Sequence, residues 1–323
     1  LVTPVQSDIE RAVAEIAALR GWAPNLPVSV RFARQDTIAR SMLADVRAQM
    51  APSVQRAQTQ VFAAFGWVPW GFDVERDLLG RFARGVAGLY CVTSTQVLLS
   101  ENMDRVVTRR TLRHELVHAF QDAHYALGVK THWDTDRGDY IAAIHSLAEG
   151  EATCIDLALD DPRGRGCLDR ALVASSESSQ SDDGALESLP TVVRRSLIAP
   201  YVEGVRYVQR LLQKGGWGAV ERAWEGELQS TRQLVHEPTQ PVEPLPMAPP
   251  PTGLGQCTLQ YIDVIGEQGL RAILGDMADA SEFAAVLESL VGERVAFWEC
   301  ADRCIAAIHL RFARADAAAS FGR

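Results

Sequence analysis

The chain has 323 residues, 47% of them apolar, and a formal net charge of −9. That apolar content is ample for a buried core, and an acidic balance with no dense Lys/Arg cluster argues against a nucleic-acid partner. No run of about 18 apolar residues occurs, so no membrane-spanning segment is expected.

Taken in order, residues 5–20 place Val5, Ile9, Val13, Ile16 and Leu19 at helical spacing and stop at Gly21. Residues 26–32 alternate as a strand would, and 38–50 return to a helical pattern. Residues 51–79 are mixed, with a turn at 66–71 whose Trp67 and Trp70 read as core packing. Residues 86–100 read as a hairpin turning at 93–96. It is either an ordinary cover for the core or a sheet edge able to pair with an extended peptide. A helix is expected over 106–125 with its stop at Gly128, then a polar link and a second helix over 140–159. Residues 172–188, centred on the polar low-complexity run 174–184, read as a mobile loop. Residues 197–212 and 217–228 form a helical pair joined by Gly215-Gly216. The proline-rich stretch 238–253 is expected to run over the surface as a connector. Residues 254–290 are read as helical with a break near Gly275, and 305–312 as a short strand. The chain is expected to be a single domain over 1–323, with the site in 1–171 and a mostly helical part over 189–323.

Six cysteines are too few for a disulfide-built scaffold. Cys154 and Cys167 flank a turn-rich loop that a disulfide could close, whereas Cys300 and Cys304 would lie a helical turn apart and bridge each other poorly. Cys91 reads as a small buried hydrophobe in a strand. The chain begins at Leu1, and a removed leader, hence an exported (periplasmic or secreted) protein, is one expectation.

The chemistry concentrates in Arg113-His114-Glu115-Leu116-Val117-His118. On a helix, residues four apart share a face. His114 and His118 can therefore offer two imidazole nitrogens to one metal ion, with Glu115 beside them as a general base. The plain alternative is a helix with one buried and one exposed histidine. A catalytic zinc site needs a third protein ligand and an open position. His124 has the spacing of a third histidine, but Gln121 stands where a helix-ending glycine would be needed. On a continuing helix His124 lies about 120° around and roughly 9 Å beyond His118. Glu149, on the second helix, is the favoured third ligand, with Gly150 allowing the two helices to approach closely; Glu151 points about 200° away. Gln121 and Asp122 fall where they could orient an imidazole, and His145 is one turn before Glu149.

RHELVHAFQDAHY (113–125) and LAEGEAT (147–153), with GLYCVTSTQVLLS (88–100), LPVSVRF, YVEG, GGWGAV and STRQLVHEP, resemble the gluzincin-type zinc metallopeptidases, small bacterial members above all. The resemblance implies an α+β, mainly helical fold. A short mixed sheet would pack on the HExxH helix and on a second, glutamate-bearing helix. It implies one Zn²⁺ per chain on His114, His118 and Glu149, and an extended peptide or protein substrate. Glu115 would activate water for peptide-bond hydrolysis, endopeptidase chemistry being the expected form. By position, His236 resembles the family's oxyanion donor, with Tyr201 and Tyr90 as alternatives and a loop histidine as the plain reading. The rival to the enzyme is a non-catalytic module that holds zinc and binds peptide.

Overall fold

The computed structural model describes residues 6–79, 85–160, 167, 188–236, 240–247, 249–250, 256–275 and 281–321. The expected mobile loop at 172–188 lies, but for its last residue, outside them. Helix α1 (Gln6–Arg20) buries Ala12, Ile16 and Ala17 and ends at Gly21, whose φ of +74° glycine adopts without strain. Strand β1 (Ser29–Ala33) leads to α2 (Gln35–Gln49) and α3 (Pro52–Ala64), the latter opened by proline at its first position. Trp67 stacks on Phe65 at 4.7 Å, as core packing predicts, but Trp70 is 69% exposed.

Strands β2 (Gly88–Cys91) and β3 (Gln96–Ser100) form the expected hairpin. β3 also pairs in parallel with β1, so the sheet order is β1-β3-β2 and β2 lies at an edge. Asp45 of α2 holds the hairpin turn by accepting from Val92 N at 3.0 Å and Thr93 N at 3.3 Å. Helix α4 (Arg105–Tyr125) follows, its N-terminus capped by Asp104, whose carboxylate accepts from Val106 N and Val107 N. Leu112, Leu116 and Phe120 of α4 share a core with Ile16, Val97 and Leu99. A fully buried Phe such as Phe120 contributes roughly 2–3 kcal/mol.

The stop of α4 differs from expectation. Ala126, not Gly128, takes the left-handed conformation at the C-cap (φ 54°). Gly128 falls inside a short helix α5 (Leu127–Lys130). There a Cβ would overlap the Val92 side chain, so this glycine serves packing against the hairpin. Helix α6 (Gly138–Asp160) carries Glu149. Helix α7 (Thr191–Arg222) is the expected pair joined through the non-helical Gly215 and Gly216. Gly150 does permit a close approach, but the neighbour is α7: a Cβ at Gly150 would overlap the backbone of Gly204, and one at Gly204 the carbonyl of Ser146.

Beyond a π-helical turn (Ala223–Glu227) and α8 (Arg232–Val235) lies a second sheet, where the sequence reading expected mostly helix. Its members are β4 (Glu243–Pro244), β5 (Cys257–Asp263), β6 (Leu290–Cys300) and β7 (Cys304–Phe312). β7 runs the length of one edge of β6, while β4 and β5 share the other. Residues 257–263 are thus strand, and the proline-rich connector is more than surface cover: Val242 and Leu245 are buried either side of β4. Helices α9 (Gly266–Leu274), α10 (Ser281–Glu288) and α11 (Ala315–Phe321) complete the described chain. Cys154 bonds Cys167 as the loop suggested, and Cys300 bonds Cys257 of the neighbouring strand, leaving Cys304 exposed and Cys91 buried. The protein is α+β and mainly helical, with a short mixed sheet packed on α4.

The second sheet is docked on the start of α6. Asp263 accepts from Gly138 N and Trp133 Nε1, each at 2.9 Å. Asp139 accepts from Thr231 N at 2.9 Å and from Ser230 Oγ at 2.5 Å. The helix that presents Glu149 is therefore gripped at its first turn by groups more than ninety residues away in sequence.

Candidate metal centre

α4 and α6 cross so that three donors from two elements meet. His118 Nε2 lies 3.2 Å from His114 Nε2, and Glu149 Oε2 lies 3.0 Å from His114 Nε2 and 3.6 Å from His118 Nε2. Donors at zinc distance in a tetrahedral site stand about 3.3 Å from one another, so the spacing suits a divalent cation. Among the described residues this is the His/Cys/Asp/Glu group gathered closely enough to hold a metal ion.

The electrostatics point the same way. Burial works against the charged forms of Glu149 and His118. For Glu149 it is outweighed by His118, His114 and His145, which hold the carboxyl well below the usual range. For His118 it is outweighed by Glu149, Glu115 and the Gln121 amide, which raise the imidazole to about 9. A centre that draws positive charge this strongly, built from two nitrogens and a carboxylate, fits zinc's ligand preference.

Glu115 lies on the same helix, buried, with Oε2 accepting from Tyr90 N at 2.7 Å. Burial raises its pKa, against the pull of His114 and His118 and with the push of Glu149. One donor of the β2 edge is thus committed to Glu115. The Tyr90 hydroxyl instead donates to Asp122 at 3.0 Å, so Asp122 orients no ligand. Gln121 does: its Oε1 lies 2.9 Å from His118 Nδ1. His145 reaches the other oxygen of Glu149 at 3.3 Å.

His124 stays off the centre, as helix geometry requires. Its Nδ1 lies 2.9 Å from Phe120 O and its ring stacks on Trp22 at 4.9 Å. His236 is not brought to the centre either: its Nε2 lies 2.9 Å from the buried Glu267, and it does not line the cavity described below. The reason is that α8 packs on α9 rather than on α4. Tyr201, an alternative considered from sequence, does lie beside the centre. Its ring stacks near His114 at 6.5 Å, and the charges of Glu149 and Glu115 hold its hydroxyl pKa well above the ordinary value, although the side chain is partly open to solvent. The Gly150–Gly204 crossing, one turn away on α7, puts it there. Asp156 was not singled out from sequence, although it follows Glu149 by two helical turns on one face. It accepts from Arg110 Nε at 3.0 Å and lines the same cavity.

That cavity has a volume of about 1050 Å³. It follows one face of α6 from Gly138 past Ile141, His145 and Glu149 to Asp156, roughly 27 Å at 1.5 Å per residue. Met42 and Val46 of α2 and Met50, just past its end, make much of the opposite wall, and β2 contributes Gly88, Leu89 and Tyr90. Comparison with family models, with curated proteins and with solved structures finds no match for this chain.

Proposed function

We propose that this protein is a zinc-dependent endopeptidase of gluzincin type. The observation that carries the reading is the meeting of His114, His118 and Glu149 beside a buried Glu115, partway along a cleft. A zinc ion on those donors supplies Lewis acidity toward a carbonyl and toward water. Glu115, its pKa raised by burial, takes the proton of the attacking water and passes it to the leaving amine. Tyr201, which stays protonated beside Glu149, donates to the oxygen of the carbonyl as it gains charge. His236 has no part in this.

The cleft continues on both sides of Glu149, which suits a bond inside an extended chain rather than one at its end. At about 3.3 Å per residue, the stretch toward Gly138 has room for roughly five residues and that toward Asp156 for three. The wall of Met42, Val46, Met50, Leu89 and Ile141 favours bulky apolar side chains on the longer side. Two disulfides suit an exported protein.

The test is a digest of an end-blocked peptide library by zinc-loaded protein, read by mass spectrometry, with Glu115→Gln as control. Cuts at internal bonds flanked by apolar residues, absent from the control, are expected. Full zinc occupancy with no cut in any peptide would instead establish a binding module. Cuts that persist in Glu115→Gln would remove Glu115 as the base.

A further inference from the structure

Glu151 follows the proposed ligand Glu149 by two residues, yet it is wholly buried away from the cavity. Its Oε1 accepts from Arg20 Nε at 2.7 Å, and its Oε2 from Trp224 Nε1 at 2.9 Å and Gln121 Nε2 at 3.0 Å. Gln121, also wholly buried, gives its second amide hydrogen to Ala148 O at 3.1 Å. Both hydrogens of that amide are therefore engaged, and its oxygen is left facing His118 Nδ1 at 2.9 Å. Turning the amide over would set its oxygen against a carboxylate and a carbonyl, two repulsions in a buried setting. Since the Gln121 oxygen can only accept, His118 Nδ1 must carry a hydrogen, and the lone pair is confined to Nε2.

We infer that Arg20, Glu151 and Gln121 form a buried relay that fixes which nitrogen of His118 is free, and so sets how tightly the centre holds its cation. The inference rests on the metal-site reading above. Gln121 is the positioning residue, Glu151 orients its amide, and Arg20 neutralises Glu151. The Arg20–Glu151 pair, with side chains 2% and 0% exposed, is by itself a poor source of stability. Its value lies in making one orientation of Gln121 the satisfied one. The relay also ties the centre to α1, since the Arg20 guanidinium stacks over Trp22 at 4.4 Å and Trp217 at 4.7 Å.

The test uses the full chain and two readouts that do not involve turnover. Zinc affinity is measured by competition with a chromophoric chelator, and the bound nitrogen of each histidine by long-range ¹H–¹⁵N spectra of the zinc-loaded protein. Gln121→Met, similar in size but with only a weakly accepting thioether in place of the amide oxygen, should bind zinc roughly 10- to 100-fold more weakly. The His118 Nδ1–H signal should exchange faster, with the His114 pattern unchanged. Trp224→Phe, which takes one donor from Glu151 and leaves Gln121 bonded, should bind zinc as the parent does. A folded Gln121→Met that keeps parental affinity and the parental His118 spectrum overturns the relay while leaving the metal site standing. If that variant does not fold, the parent spectrum decides: His118 bound through Nδ1 overturns the relay, and Nε2 binding with a slowly exchanging Nδ1–H upholds it. A parent that takes no zinc removes the metal site and the relay together. Zinc-binding shifts as expected with no peptide cut anywhere leave the relay in place and remove the peptidase.

Discussion

Glu149 and Tyr201 lie together at the centre, and each can be tested by one substitution. Glu149 supplies an oxygen within 3.0 and 3.6 Å of the two imidazole nitrogens. Glu149→Ala should therefore collapse zinc content in elemental analysis. His124→Ala, which removes a ring stacked on Trp22, should leave it near one per chain. The opposite pattern would hand the third position to His124. Tyr201→Phe keeps the ring beside His114 and removes the hydroxyl. If that hydroxyl donates to the carbonyl oxygen as charge develops, kcat should fall by about 10²–10³ with KM little changed. A rise in KM at constant kcat would make Tyr201 a substrate contact instead. His236→Ala should leave both constants alone, because its partner is Glu267.

The arrangement of helices carries a steric prediction. Gly150 and Gly204 let α7 lie against α6 closely enough to bring Tyr201 to Glu149. Gly204→Ala would push a methyl into the Ser146 carbonyl, an obstacle of backbone that cannot rotate away. A cost of about 1–3 kcal/mol is expected, along with loss of kcat as Tyr201 moves off. Gly218→Ala on the same helix meets nothing within 4 Å and should leave Tm the same or slightly raised. Equal Tm for the two variants would show that the crossing is not tight. These elements also explain what the sequence discloses. Helices α1, α4 and α6 and the β2–β3 hairpin were legible because their signals are local: helical spacing, an i,i+4 histidine pair, a run of β-formers. The tight crossing at Gly150 was legible too, but not its partner, since nothing local distinguishes α4 from α7 as the neighbour. Strands β5 and β6 escape a local reading of the sequence for a related reason. β6 is buried along most of its length, so it lacks the alternation of a half-exposed strand and resembles a buried helix in pattern. Glu151 looked like a weak ligand, and its actual partner Arg20 lies 131 positions away, a pairing that no spacing rule anticipates.

Taken whole, the molecule joins its second sheet to the start of the glutamate helix through buried carboxyls, which makes its stability depend on pH in a definite direction. Burial raises the pKa of Asp139 and Asp263, and that of Glu293 well above the ordinary value, despite hydrogen bonds that pull each the other way. A carboxyl with a raised folded pKa binds its proton more tightly in the native chain than in the unfolded one. Its contribution is complete below the unfolded value of about 4 and is lost as pH rises through the folded pKa. Glu149, with its pKa lowered, behaves oppositely: its contribution is present above the unfolded value and lost as pH falls through the folded one. Glu293 accepts from Ile265 N at 3.1 Å and Gly266 N at 2.8 Å. Glu293→Gln can no longer ionise, so it removes this residue's share of the alkaline loss without touching the metal centre. It keeps only one of the two acceptor oxygens, however, and turns its NH2 toward the other backbone N–H, a cost that does not change with pH. Scanning calorimetry of the zinc-loaded parent and variant should therefore give the variant the lower Tm near pH 4. Toward neutral pH the parent should lose ground to the variant, by roughly 2–4 °C for each kcal/mol for a chain of this size. A Tm difference that stays constant, or that shifts further in the parent's favour toward neutral pH, would mean that Glu293 is ionised in the folded chain and that the junction does not hold a proton.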